Sequence, residues 1–209
     1  GTEGGPPPEV ITALLQDRDG FLWIGTRNGL TLFDGHTYTS FQHDPSDPGS
    51  LSDSTIRTIY EDPDGTLWIG TNTGGLNRFD PATRSFVHYR HDSANARSLS
   101  HDSIYAILRD RHGTLWVGTQ IGLNRFDPDT QSFVRIVAGG VGGLINDYIF
   151  TLYEDRAGRL WIGTLGGGLH RWDEAQGRFE VFRHDPSNPE SLRDDQVSAL
   201  LEDESGRLW

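Results

Sequence analysis

The side chains able to do chemistry in this chain are acids, histidines, a few arginines and aromatics, and most of them occur in copies. Asp-x-Asp-Gly stands at 17–20 and again at 62–65, which is how a calcium loop begins. A helix-loop-helix calcium loop needs further carboxylates and a glutamate at its twelfth position. Those are absent, and later copies read Asp110-Arg111-His112-Gly113 and Asp155-Arg156-Ala157-Gly158. Tight turns, which favour Asp and Gly, account for all of them. His-Asp pairs recur at 43–44, 91–92 and 184–185. A single active site has no use for three equivalent pairs, so these are read as parts of a structural loop. The eight histidines show no metal-binding spacing to an acidic partner, and there is no cysteine to supply a thiolate. No catalytic residue, metal or cofactor is expected.

Better candidates are the residues that break the copying. Eleven positions before successive tryptophans stand Thr12, Arg57, Tyr105, Phe150 and Ser198. Just upstream come Glu9, Ser54, Asp102, Asp147 and Asp195, followed by Val10, Thr55, Ser103, Tyr148 and Gln196. A second divergent set is Arg27-Asn28, Asn72-Thr73, Gln120-Ile121 and Leu165-Gly166. Planar donors and ring faces together suit a sugar or a small anionic metabolite. The candidate ligand-binding residues are therefore Arg27, Arg57, Asn72, Tyr105, Gln120, Tyr148 and Phe150. Arg57 stands out, because no packing role shared by the copies demands a guanidinium. Its alternative role is a salt bridge to Asp53 or Asp102.

The elements that position these residues are repeats. Asp62-Pro63-Asp64-Gly65-Thr66-Leu67-Trp68-Ile69-Gly70-Thr71 recurs from Asp17, Asp110 and Asp155, and a fifth copy runs from Asp203 to Trp209. The repeated tryptophans at 23, 68, 116, 161 and 209 are spaced 45, 48, 45 and 48 residues apart. A fixed period of this length decides the architecture. Length varies only at turn-like sites, as when each repeat is one supersecondary unit.

Within the second unit, four strands are expected over 55–61, 66–71, 76–80 and 85–90, separated by Pro, Gly, Asn and Asp. In the first strand of each unit the residue twelve before tryptophan is Ile11, Ile56, Ile104, Ile149 or Val197, and ten before it comes Ala or Thr. Such a strand is apolar or small on both faces and suits a sheet packed between neighbouring sheets. The repeated tryptophan, buried there, contributes roughly 2 to 3 kcal/mol by area. Four antiparallel strands per unit match a β-propeller blade. The expected fold is all-β, an incomplete arc of four blades and part of a fifth. The expected boundaries are 1–51 for an extended leader and first blade, 52–99, 100–144 and 145–192 for the next three, and 193–209 for the start of the fifth. The chain is expected to be a piece of a longer protein, and on its own to form an open arc or associate through exposed apolar faces.

Composition narrows the partners. The formal net charge is −12 over 209 residues, with the arginines dispersed, which argues against nucleic acid and anionic membranes. No apolar run is long enough to span a membrane as a helix.

The repeated Asp-x-x-Gly-x-Leu-Trp-Ile-Gly-Thr, followed by Gly-Leu-x-Arg-Phe-Asp-Pro, resembles the two-component regulator propeller repeat. Gly5-Pro6-Pro7-Pro8-Glu9-Val10 is similar to the leader of a first blade, and Phe33-Asp34-Gly35 replaces Phe-Asp-Pro there. Thr31-Leu32 stands where Asn-Arg recurs, Trp172 replaces Phe, and the third unit exits through Ala138 to Gly143. The resemblance implies a periplasmic or extracytoplasmic ligand-sensing propeller of a bacterial hybrid histidine kinase or related receptor. It implies as partners a small-molecule or oligosaccharide ligand, the remaining blades and an output domain, and it is compatible with a homodimer. The alternatives are a propeller enzyme of lyase or glycosidase type, or a scaffold that binds only protein.

Overall fold

The structure, a computed structural model, describes residues 10–139 and 142–209; the leader at 1–8, Glu9 and Gly140-Val141 of the glycine-rich exit lie outside the described residues. Sixteen strands form among the described residues, with no helix, in four sheets of four. The first sheet holds β1 (Ile11–Gln16), β2 (Leu22–Thr26), β3 (Leu30–Phe33) and β4 (Tyr38–Phe41). The second holds β5 (Ile56–Glu61), β6 (Leu67–Thr71), β7 (Leu76–Asp80) and β8 (Ser85–Tyr89). The third holds β9 (Ile104–Arg109), β10 (Leu115–Thr119), β11 (Gly122–Asp127) and β12 (Ser132–Ile136). The fourth holds β13 (Ile149–Glu154), β14 (Leu160–Thr164), β15 (Leu169–Asp173) and β16 (Arg178–Phe182). In every sheet the strands neighbour one another in chain order, which is the meander of a propeller blade. The four strands expected in the second unit are β5 to β8.

Contacts divide the described residues into two compact units. One runs up to His91 and includes Asp102–Ile107; the other comprises Asp92–His101 and Leu108–Trp209. In the first unit Trp23, Leu30, Leu51, Ile56, Leu67, Ile69 and Phe86 form a core between two sheets. In the second, Trp116, Leu123, Leu144, Ile149, Leu160, Ile162 and Phe179 do the same. The central strands β6 and β14 are buried along their whole length, which explains why Leu-Trp-Ile-Gly-Thr is apolar or small throughout. Residues 193–209 add bridges from Gln196 to Leu165 and between Glu202 and Leu208.

The Asp that opens each motif is consumed by the fold. Asp17 accepts the backbone N–H groups of Asp19 and Phe21 on one oxygen and the Trp23 indole N–H on the other, at 2.8 Å. The same indole bond joins Trp68 to Asp62, Trp116 to Asp110, Trp161 to Asp155 and Trp209 to Asp203, at 2.7 to 2.8 Å. These carboxylates stitch a turn to the tryptophan. At the other end of the motif, the Thr71 hydroxyl donates to the Gly75 carbonyl and accepts the Gly74 N–H, closing the β6–β7 turn. The His-Asp loops are likewise structural. One ring nitrogen of His43 meets the Leu51 carbonyl and one of His184 meets that of Leu192, both at 2.7 Å.

Candidate functional site

The divergent position eleven before tryptophan lies on a β-bulge. Ile56 pairs with Thr71 and Thr58 with the adjacent Gly70, which leaves Arg57 as the extra residue of β5. The same shift falls at Thr12 in β1 and Phe150 in β13. A bulge leaves its extra residue out of the ladder and re-aims its side chain. Sequence periodicity carries no sign of this.

In the first unit the bulge gathers four candidates. The Arg57 guanidinium lies over the Tyr105 ring, 4.5 Å from its centroid. Its Nε donates to Asn72 Oδ1 at 2.8 Å, and its Nη2 makes a second, shorter bond to the same oxygen. Asn72 is held by its own backbone, since its N–H donates to Thr55 and its carbonyl accepts the Ser103 hydroxyl. Thr55 in turn donates its hydroxyl to the Arg27 carbonyl at 3.3 Å. Arg27, Arg57, Asn72 and Tyr105 are thus joined by one continuous set of contacts, with Arg27 and Arg57 exposed.

The salt bridge expected as the alternative for Arg57 does not form. Asp53 accepts the N–H groups of Thr55 and Thr73 and the Thr73 hydroxyl, while Asp102 accepts the His91 N–H. Both acids are occupied in capping turns. Among the described residues Arg57 forms no ion pair, and a neutral amide and a ring face brace its charge.

In the second unit, Tyr148 and Phe150 stack with ring centroids 6.3 Å apart and planes 23° apart. The Tyr148 carbonyl accepts the Leu165 N–H, tying the start of β13 to the β14–β15 turn. Gln120 is exposed in the β10–β11 turn beside Ile121, which is 45 % exposed.

None of these residues lines the large clefts. One of about 470 Å³ in the first unit is walled by Asp17, Phe21, Trp23, Glu61, Leu67 and Phe79 among others. Its counterpart in the second unit, of about 280 Å³, reaches Asp110, Trp116, Arg125, Glu154 and Trp172. Both sit beside the Asp-Gly turns, and sequence reading gave them no role. Among the described residues, no group of three or more His, Asp or Glu is arranged to hold a metal ion.

The profile of the two component regulator propeller matches residues 5–28, 50–73, 98–120 and 143–166, one stretch in each unit. These four stretches are two component regulator propeller repeats. A solved structure described as the extracellular domain of a hybrid two component system from B. thetaiotaomicron superposes with a TM-score of 0.83 at 26 % identity. That match covers 96 % of this chain and 27 % of the other, so the chain spans about a quarter of that domain. A histidine kinase P4 from Formosa agariphila is 45 % identical over 42 residues, covering 20 % of this chain and 3 % of the kinase. Virginiamycin B lyase from Staphylococcus aureus shares the fold alone, with a TM-score of 0.69 at 15 % identity over 95 % of this chain and 62 % of the lyase. The matched repeats and the superposition on an extracellular domain of a two component system support a propeller module of this repeat type.

Proposed function

We propose that this module senses a sugar or small anionic metabolite outside the cytoplasm, in a receptor whose output domain is a kinase or another signalling unit. Arg57 carries the reading. It stands on a bulge, exposed, held in place by Asn72 and Tyr105, and without an ion pair among the described residues. Its Nε and Nη2 hydrogen bonds leave other guanidinium N–H groups for a ligand carboxylate or hydroxyls. Because the guanidinium is already braced, binding freezes little further rotamer freedom. The extracellular B. thetaiotaomicron relative supports an extracytoplasmic location.

The test uses the complete receptor. Neutral and uronic-acid oligosaccharides and small carboxylates are screened by thermal shift, and the affinity of the best ligand is measured on parent and Arg57→Ala. At least about tenfold weaker binding is expected, matching a charge-assisted bond of about 1.5 to 3 kcal/mol. The unliganded melting temperature should stay within a degree or two, since exposed pairs contribute little (about 1 kcal/mol or less). Unchanged affinity removes Arg57 from the site. Multiple-turnover conversion of a bound ligand rejects a sensor-only module in favour of an enzyme.

A further inference from the structure

The first sheet differs from the fourth at two positions flanking its tryptophan, and one of them, the register partner of the tryptophan, is an arginine in all three other sheets. Opposite each repeated tryptophan the neighbouring strand carries an arginine: Arg78 is in register with Trp68, Arg125 with Trp116 and Arg171 with Trp161. In the first sheet Trp23 is in register with Leu32. The second position follows the turn glycine. It is Thr66 and Thr114 in the second and third sheets, Arg159 in the fourth, where its Nε lies 2.6 Å from Asp155, and Phe21 in the first.

The fourth sheet shows what those arginines do. Arg159 and Arg171 each hold a guanidinium carbon 5.6 Å from the Trp161 ring centroid. The motif aspartate and the tryptophan there are served by two cations of the chain itself. In the first sheet both cations are replaced by apolar side chains, yet the acids remain. Asp17 keeps its bonds from Trp23 and two backbone amides and forms no ion pair among the described residues, and Asp19 and Asp64 stand on the same rim. The one arginine present, Arg18, is engaged by Glu61 at 3.2 Å and by the Asp62 carbonyl. The cleft measures about 470 Å³, against about 280 Å³ for its counterpart, which Arg125 enters. Phe21 is 38 % exposed at its mouth.

We propose that this cleft is a second binding site, for a small organic cation with a planar amidinium- or guanidinium-type head on an apolar body. The head takes the place that arginine guanidinium groups occupy beside Trp161, and the body packs on Phe21 and Phe79. The surplus of carboxylates over cations on the rim selects for positive charge, and the ring faces add cation–π attraction. The site is separate from the one at Arg57 and does not depend on it.

Benzamidine, cationic at neutral pH, and its neutral isostere benzamide are titrated calorimetrically into this chain. Saturable benzamidine binding is expected, with benzamide at least about tenfold weaker. Phe21→Arg recreates the arrangement of the fourth sheet and should weaken benzamidine at least about tenfold while the far-ultraviolet spectrum stays unchanged. Should Phe21→Arg misfold, Leu32→Arg supplies the other cation and carries the same expectation. Arg57→Ala should leave benzamidine binding untouched. Equal binding of benzamide, or full-strength binding to a folded Phe21→Arg or Leu32→Arg chain, overturns the proposal. So does the lack of saturable binding up to about 10 mM benzamidine.

Discussion

Trp161 donates its indole N–H to Asp155 across 2.7 Å, and Asp155 also accepts the backbone N–H and the Nε of Arg159. Burial of this carboxyl, 3 % exposed, raises its pKa, but the bonds from Trp161 and Arg159 outweigh that and hold it below the usual carboxylate range. Asp155→Ala orphans a buried indole and an amide and should cost about 2 to 4 kcal/mol in chemical denaturation. A depressed carboxyl pKa stabilises the fold above its unfolded value, about 4, and that contribution is lost as pH falls through the folded value. Asp155→Asn should therefore be less acid-sensitive than the parent below about pH 4. An Asp155→Ala loss under about 0.5 kcal/mol would refute the structural role.

The glycine of Trp-Ile-Gly-Thr answers to close packing rather than to a turn. A Cβ on Gly70 would lie 2.6 Å from Thr58 Cγ2 and 2.7 Å from Ile104 Cγ2. Gly113 has open space around a Cβ but a φ of +84°. Gly70→Ala should cost about 2 kcal/mol or more through overpacking, and Gly113→Ala about 1 kcal/mol through backbone strain. Melting of the two variants side by side checks the order; the reverse order would count against the packing.

Much of this was legible in the sequence because burial and turn chemistry repeat. The period, the strands and the buried tryptophan follow from residue types at fixed spacing. The environment of Arg57 does not. A bulge is a mismatch between two strands, and nothing within Ile56-Arg57-Thr58 announces it. Asp53 and Asp102 looked available by charge, but backbone amides claim both. The replacement of Arg by Leu32 was visible as a departure. Its consequence needed the register that sets Leu32 opposite Trp23.

A turn arginine recurs as a clamp between consecutive repeats. Arg111 pairs with Glu154 at 3.1 Å and donates to the carbonyls of Asp155 and Arg156; Arg18 treats Glu61 and the Asp62 carbonyl alike. The Arg111 side chain is 44 % exposed, so solvent screens the pair. Arg111→Ala should lower stability by only about 1 kcal/mol, and less in high salt. Denaturation midpoints at low and high sodium chloride test this; a salt-independent loss would point to the carbonyl bonds instead.

The buried polar position of the third strand reports most directly on how a repeat tolerates change. Asn77 accepts the Ser52 N–H at 3.0 Å and donates to the Ser52 hydroxyl at 2.7 Å; Asn124 does the same with Ser100. In the fourth sheet the pair becomes His170 and Ile145. His170 Nε2 accepts the Ile145 N–H at 3.1 Å, which puts the ring proton on Nδ1, and with no serine hydroxyl that atom is buried without a hydrogen-bond partner. Burial pushes the imidazole pKa down to about 4, and the charge of Arg183 adds to this. The carbonyls of Gly168 and Ile162 favour the protonated form too weakly to offset burial. An imidazole depressed from its unfolded value of about 6.5 stabilises the fold fully above that pH and loses the contribution as pH falls toward 4. Ile145→Ser with His170→Asn restores the pairing of the second and third sheets. The double variant should gain about 1 to 2 kcal/mol at neutral pH and lose part of the parent's decline in stability between about pH 6.5 and 4. Urea denaturation across that range, parent against double variant, reads both effects. An unaltered pH slope would mean that His170 is not the group being titrated.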